Sequence, residues 1–210
     1  MSGVAILHLD ESCLGNGREG ENPGGGGGLI EARSRSGRIQ RRDVYISAAA
    51  TTNNRMALAS AATALQLLAG KGARLQVLIV SDSQYLVKGM REWVPGWVGR
   101  GWRRKEGPIE NLELWQALLA ASRRHDVQWT WVRGHKGHAK NEYANDLAVK
   151  AAREQLSSDG IVASGFDQWL EAKRAKGLYL EYDPDQAFTA LEERVADDEA
   201  FPLADGPRVP

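Results

Sequence analysis

Val4-Ala5-Ile6-Leu7-His8-Leu9-Asp10 is a nearly unbroken apolar run that stops at an acid, and Leu75-Gln76-Val77-Leu78-Ile79-Val80-Ser81-Asp82 repeats the pattern later in the chain. Short apolar runs of this kind read as largely buried strands. Each places a carboxylate where the strand is expected to stop. Acids at the carboxyl ends of two different strands meet at one edge of a sheet, where α/β folds put their sites. A third run, Val127 to Val132, leads into Arg133-Gly134-His135-Lys136-Gly137-His138, so three strands converge on polar groups.

Outward from these runs, Leu29 to Ala32 and Ile39 to Ser47 suggest two further strands joined around Ser36-Gly37, an antiparallel meander. Residues Gly17 to Gly28, with five successive glycines from Gly24, are expected to form a long turn, because glycine is costly to order. Thr51-Thr52-Asn53-Asn54 caps a helix expected to reach about Leu68. A helical stretch through Tyr85 and Val87 leads to a Trp-rich segment. Further helices are expected near Asn111 to Arg123 and from about Asn141 to Glu154. The order, three strands and then alternating helices and strands, predicts an α/β fold with a mixed sheet.

Composition narrows the partners. Hydrophobic residues make up 42% and charged residues 26% of the 210, ordinary for a packed globular protein. No stretch approaches the run of about 20 apolar residues that a membrane helix needs, and the first residues lack a signal-peptide pattern. A cytoplasmic protein without a membrane partner is expected. Cys13 is the single cysteine, which excludes an internal disulfide and a thiolate metal cluster, so any metal would be held by oxygens. No GKS or GKT follows the glycines, and nucleotide triphosphate binding is not expected. The net charge of zero conceals a basic body, with 22 Lys/Arg and 16 Asp/Glu before residue 160, and a tail with 5 and 11. A basic body suits a phosphate backbone.

The segments Leu9-Asp10-Glu11-Ser12-Cys13-Leu14-Gly15-Asn16, Thr51-Thr52-Asn53-Asn54-Arg55-Met56, Ser81-Asp82-Ser83-Gln84-Tyr85 and Trp131-Val132-Arg133-Gly134-His135 resemble bacterial ribonuclease HI, a type 1 ribonuclease H. The resemblance runs on through Trp93, Trp97, Trp102, Asn111 to Gln116 and Asn141-Glu142, and covers roughly residues 4–155. It implies a ribonuclease H-like fold with a five-stranded mixed sheet, three antiparallel strands followed by parallel ones, flanked by helices. It also implies a metal-dependent endonuclease that hydrolyses the RNA strand of RNA–DNA hybrids with Mg²⁺ or Mn²⁺. Two of the family's metal-binding carboxylates fall on Asp10 and Asp82, and its loop histidine, tied to proton transfer or product release, falls on His135.

Two positions depart from the family. Its second acid is expected after Met56, where Ala57 stands, and its fourth falls on Asn145. A neutral Asn oxygen can still ligate a hard cation, with less attraction than a carboxylate. Glu11 is the substitute at hand, yet neighbours on a strand face opposite sides, so it serves only if the strand is bulged or ends at Asp10. The departures fit an engineered inactivation, a natural enzyme with a thinner ligand set, or a hybrid-binding protein without turnover. Natural divergence is favoured, because the Gly-rich segment and tail depart as well, and an enzyme is preferred to the inactive binder.

The resemblance further implies substrate contacts. Asn16, Asn53, Asn54 and Gln84 fall where amides meet the 2′-hydroxyls of the minor groove, and Thr52 where a DNA phosphate is held. Trp93 and Trp102, among Arg91, Arg100, Arg103, Arg104 and Lys105, resemble the family's basic protrusion, while Trp115, Trp129 and Trp131 are expected in the core. The chain divides into a ribonuclease H-like domain over 1–156 and an extension over 157–210. In the extension Phe166, Trp169, Leu170 and Leu178 suggest a short amphipathic helix, and the acidic end from Asp197 reads as disordered. A monomer is the default expectation.

Overall fold

Alternation along the first strand decides how the layers stack. In the computed structural model, which describes residues 3–15, 22–72, 74–134 and 137–197, β1 (Val4–Cys13) is the central strand. It pairs antiparallel with β2 (Gly24–Arg33), and β2 pairs antiparallel with β3 (Ile39–Ala48). On its other side β1 runs parallel to β4 (Gln76–Ser81), which runs parallel to β5 (Asp126–Trp131). A short β6 (Val162–Ala163) adds to β3, giving the order β5-β4-β1-β2-β3-β6. The expected mixed sheet is present. Its sixth strand comes from the extension, where no strand was expected.

Successive side chains on a strand point to opposite faces. Ala5, Leu7 and Leu9 of β1 and Val77 and Ile79 of β4 enter one core, under α1 (Asn53–Leu68) and α4 (Leu112–Ser122). Ile6, Leu78 and Val80 enter a second, under α7 (Pro184–Ala196). The apolar runs are unbroken because both faces are covered. Between β4 and α4, α2 (Gln84–Lys88) passes through a wider π turn at Gly89–Trp93 into α3 (Val94–Gly99). After β5 comes α5 (Ala139–Glu154), and α6 (Phe166–Arg174) packs beside it through Tyr143, Phe166 and Trp169.

Two expectations are corrected here. Gly24–Gly28 is the first half of β2 and not part of a turn; residues 16–21 lie outside the described residues. The cause is contact with α5. A Cβ on Gly25 would collide with the backbone of Ala148 and Ala152, and one on Gly27 with that of Ala144 and Ala148. Bare strand lets the helix backbone settle on the sheet, and ladder bonds to β1 and β3 offset glycine's ordering entropy. The strand expected to stop at Asp10 also continues to Cys13, paired with those glycines.

The extension holds two helices where one was expected. Leu178 lies beyond α6 and is exposed. The acidic end expected to be disordered lies, from residue 198, outside the described residues. Among the described residues no helix is long and apolar enough to cross a membrane.

Candidate active site

The register between β1 and β4 ends at Leu9 and Ser81, while β1 goes on to Cys13. Beyond Leu9, therefore, no strand among the described residues pairs with β1 on its β4 side. A side chain from either face can reach around that free edge. The carboxylates of Asp10, Glu11 and Asp82 each place an oxygen within 4.8 Å of the others. Glu11 joins the site although the strand is neither bulged nor ended at Asp10. The condition set from sequence was too strict, because it ignored the missing neighbour and the extra methylene of Glu.

Asp10 is 5% exposed. Its Oδ1 accepts from the Glu11 amide at 2.7 Å and its Oδ2 from Asn141 Nδ2 at 3.0 Å. Glu11 is hydrogen-bonded by the Ser83 side chain, whose oxygen also caps α2 by accepting from the Leu86 amide at 3.4 Å. Trp131 Nε1 donates to the Asp82 carbonyl at 2.9 Å, fixing the chain where β4 ends. Gly134 lies against the Asp82 carboxylate so closely that a Cβ there would strike Oδ2. Burial first, and then repulsion from Asp82, push the Asp10 carboxyl up to about 8. Burial, followed by Asp10 and Asp82, does the same to Glu11, also to about 8. Crowded, desolvated carboxylates of this kind are relieved by a hard divalent cation, which prefers oxygen ligands.

Ala57, where the family's second acid was expected, is 1% exposed in the core under α1. Asn145 lies on α5 one turn after Asn141, on the same side of the helix, and is half-buried. Asn141 was not singled out from sequence. Its signal was available: it precedes Asn145 by four residues, the spacing that aligns two side chains on a helix. His135 and Asn16 lie outside the described residues.

The remaining expected contact residues divide. Thr52 caps α1, its side chain accepting from the Arg55 amide at 3.3 Å, with Asn53 and exposed Asn54 following. The start of α1 sits at the same end of the sheet as the carboxylates, since Gly24 pairs with Cys13 and faces Thr51. Gln84 is exposed at the start of α2, one residue from Ser83. Asn111 joins these parts: its Oδ1 accepts from Arg55 Nη1 and its Nδ2 donates to the Tyr85 hydroxyl. Trp93 is half-buried, with its ring 5.7 Å from Tyr85 and 6.4 Å from Trp115. Trp102 is half-buried against the same core, at a positive φ of 61°. Trp115 and Trp129 are buried and Trp131 is half-buried. Tyr85, Trp93, Trp97, Arg100 and Arg104 line a cleft of about 480 Å³. Arg91 turns inward, donating to the Trp129 carbonyl.

Comparison with known proteins places this geometry. The RNase H family profile matches residues 3–153. Ribonuclease H of Pelobacter propionicus is 44% identical over 149 residues, 70% of this chain and 84% of that one. Ribonuclease H of Methylococcus capsulatus is 42% identical over 161 residues, 76% and 96% of the two chains. Among solved structures, LC9-RNase H1, described as a type 1 RNase H with the type 2 active-site motif, is 54% identical. That match has a TM-score of 0.76 and covers 80% of this chain and 81% of that one.

Proposed function

This chain belongs to the RNase H family, and on that premise we propose that it hydrolyses the RNA strand of RNA–DNA hybrids with Mg²⁺ or Mn²⁺ held by Asp10, Glu11, Asp82 and Asn145. The observation that carries the ligand set is the meeting of the three carboxylates within 4.8 Å although Ala57 supplies none. Glu11 restores the charge missing at Ala57, so the site keeps three anionic ligands and one neutral one. LC9-RNase H1, described as a type 1 RNase H with the type 2 active-site motif, supports a rearranged ligand set.

The residues fit hard divalent ions: crowded carboxylates, one buried and two half-buried, two of them with pKa values raised to about 8, gain most when a cation compensates their charge. Bound divalent ions supply an activated water at neutral pH and neutralise charge on the phosphate under attack. The chain's own residues set the frame. Asn141 and the Glu11 amide orient Asp10, Ser83 orients Glu11, and Gly134 leaves room for the Asp82 carboxylate. His135, on the connection from β5 to α5, takes the proton-transfer role. Asn16, Asn53, Asn54 and Gln84 sense the 2′-hydroxyls, Thr52 holds a DNA phosphate, and Trp93 and Trp102 with the neighbouring arginines grip the DNA strand. The working form is a cytoplasmic monomer.

The test is cleavage of an end-labelled hybrid in Mg²⁺ and then Mn²⁺ by the chain and by Asp10→Asn, Glu11→Gln and Asp82→Asn. Loss of cutting in all three variants supports the ligand set. A Glu11→Gln variant with full activity removes Glu11 from it.

A further inference from the structure

We propose that the C-terminal extension is a positioning element for the carboxylate site, acting through Lys140: it anchors the first turn of α5 so that Asn141 holds Asp10. The inference rests on Asp10 being a metal-binding carboxylate. Alternation sends Ile6, His8 and Asp10 of β1 and Leu78 and Val80 of β4 to one face of the sheet, with Asp82 just past the end of β4. On that face α7 seats Phe188 and Val195 on Ile6, Leu78 and Val80, directly behind the two acids in the strand direction.

Between that seat and Asp10 lies a buried charge network. Glu31, opposite Ile6 on β2, is 0% exposed. It faces His8 Nε2 at 3.4 Å, Arg41 Nε at 3.0 Å and Lys140 Nζ at 2.6 Å. Lys140 also donates to the carbonyl of Pro184, the first residue of α7, at 3.0 Å. Arg41 reaches Asp167 of α6 at 3.2 Å and pairs with Asp185 of α7. The extension thus grips both cations that surround Glu31.

The first turn of α5 depends on that grip. His138, the residue before the helix, makes no side-chain capping bond. Among the described residues Asn141 donates one hydrogen bond, to Asp10, and its buried Oδ1 has no hydrogen-bond partner. No second bond locks the amide, so its aim follows the backbone of the turn, and Lys140 is the neighbouring anchor. A group that orients a ligating carboxylate governs metal affinity without touching the ion.

The test is a double-mutant cycle on the full chain with Lys140→Met, Asn141→Ala and the pair, read by Mn²⁺ titration calorimetry, by kcat and KM on a labelled hybrid, and by thermal unfolding. Each single change is expected to lower Mn²⁺ affinity and kcat about tenfold, with KM for the hybrid unchanged. The pair is expected to be no worse than Asn141→Ala alone, because Lys140 acts through Asn141. Lys140→Arg, which keeps the charge beside Glu31, should recover part of the loss. Arg74→Ala, which removes the exposed pairing of Arg74 with Asp126 away from α7, should leave affinity and rate unchanged. Should Lys140→Met not fold, Phe188→Leu loosens the seat of α7 with the charges intact and should lower Mn²⁺ affinity in the same direction. Wild-type affinity and kcat in Lys140→Met, or in Phe188→Leu where that is the variant read, overturns the inference, as do multiplicative effects in the pair. Asp10→Asn separates the two levels: if it binds Mn²⁺ and cuts normally, the site reading itself falls, whereas an inactive Asp10→Asn beside a normal Lys140→Met removes only the role of the extension.

Discussion

The two faces of the central sheet are built on opposite principles. Under α1 and α4, Leu7, Leu9, Ile79, Leu58 and Trp115 fill space with large apolar side chains. Under α5 and α7 the sheet presents Gly25 and Gly27, bare enough for backbone to rest on backbone, and then His8, Glu31 and Asp10, met by Lys140 and Asn141. The first face gains stability from volume and tolerates modest reshaping. The second gives up volume for close approach and fixed charge, and that is the face from which Asp10 and Asn141 reach the site.

The sharpest way to break this contrast is at the edge where the faces meet. Glu11→Gln keeps shape and removes a charge that works only at the site, so hybrid cleavage should fall by at least about a hundredfold while urea unfolding is unchanged or improved. Leu7→Ala tests the apolar face: a cavity there should cost about 2–5 kcal/mol in urea unfolding, with kcat preserved below the transition. Gly27→Ala tests the other face. The added methyl meets the α5 backbone and should cost about 1–3 kcal/mol, and because it lifts α5 it should also weaken Mn²⁺ binding, which Leu7→Ala should not.

The smallest effect is one of pH. Burial would raise the Glu31 carboxyl, but its pairing with His8 and the charge of Lys140 outweigh it and lower the pKa from 4.5 to about 2. A group depressed in the folded state contributes stability that is fully present above its unfolded pKa and lost as pH falls through the folded value. Thermal unfolding should therefore show a loss of stability between pH 4.5 and about 2 that is shallower in Glu31→Gln. Equal slopes would show that His8, Arg41 and Lys140 do not stabilise the ionised form of Glu31.

Asp10 and Asp82 could be read as neighbours because two apolar runs leading into acids bring both to one edge of the sheet, although β1 itself runs on to Cys13. Glu11 was weighed and set aside because its place depends on how far β1 outlasts β4, a register that no single strand's sequence carries. Gly24–Gly28 misled for a related reason: taken alone, glycines favour a turn, and the strand exists only because α5 settles on it. Asn145 was assigned through resemblance, whereas Asn141 entered only within a resembling segment, without a role, although it shares that helix face. In the extension, Phe166, Trp169 and Leu170 carry the helical spacing that foretold α6. For α7 the determinants are Phe188 and Val195 meeting distant Ile6, Leu78 and Val80, contacts with no local signature.

The glycine strand also constrains how the chain folds. Within Gly24–Gly28 a slip of one residue would exchange glycine for glycine, so this half of β2 cannot choose its own alignment with β1 or β3. The choice falls to Leu29, which enters the cluster with Tyr143 and Phe166, and to Ile30, which enters the opposite core. The register of Asp10 and Glu11 against Gly27 and Gly26 is therefore set at a distance, by the Leu29–Arg33 half of β2, and not by the residues that pair at the site.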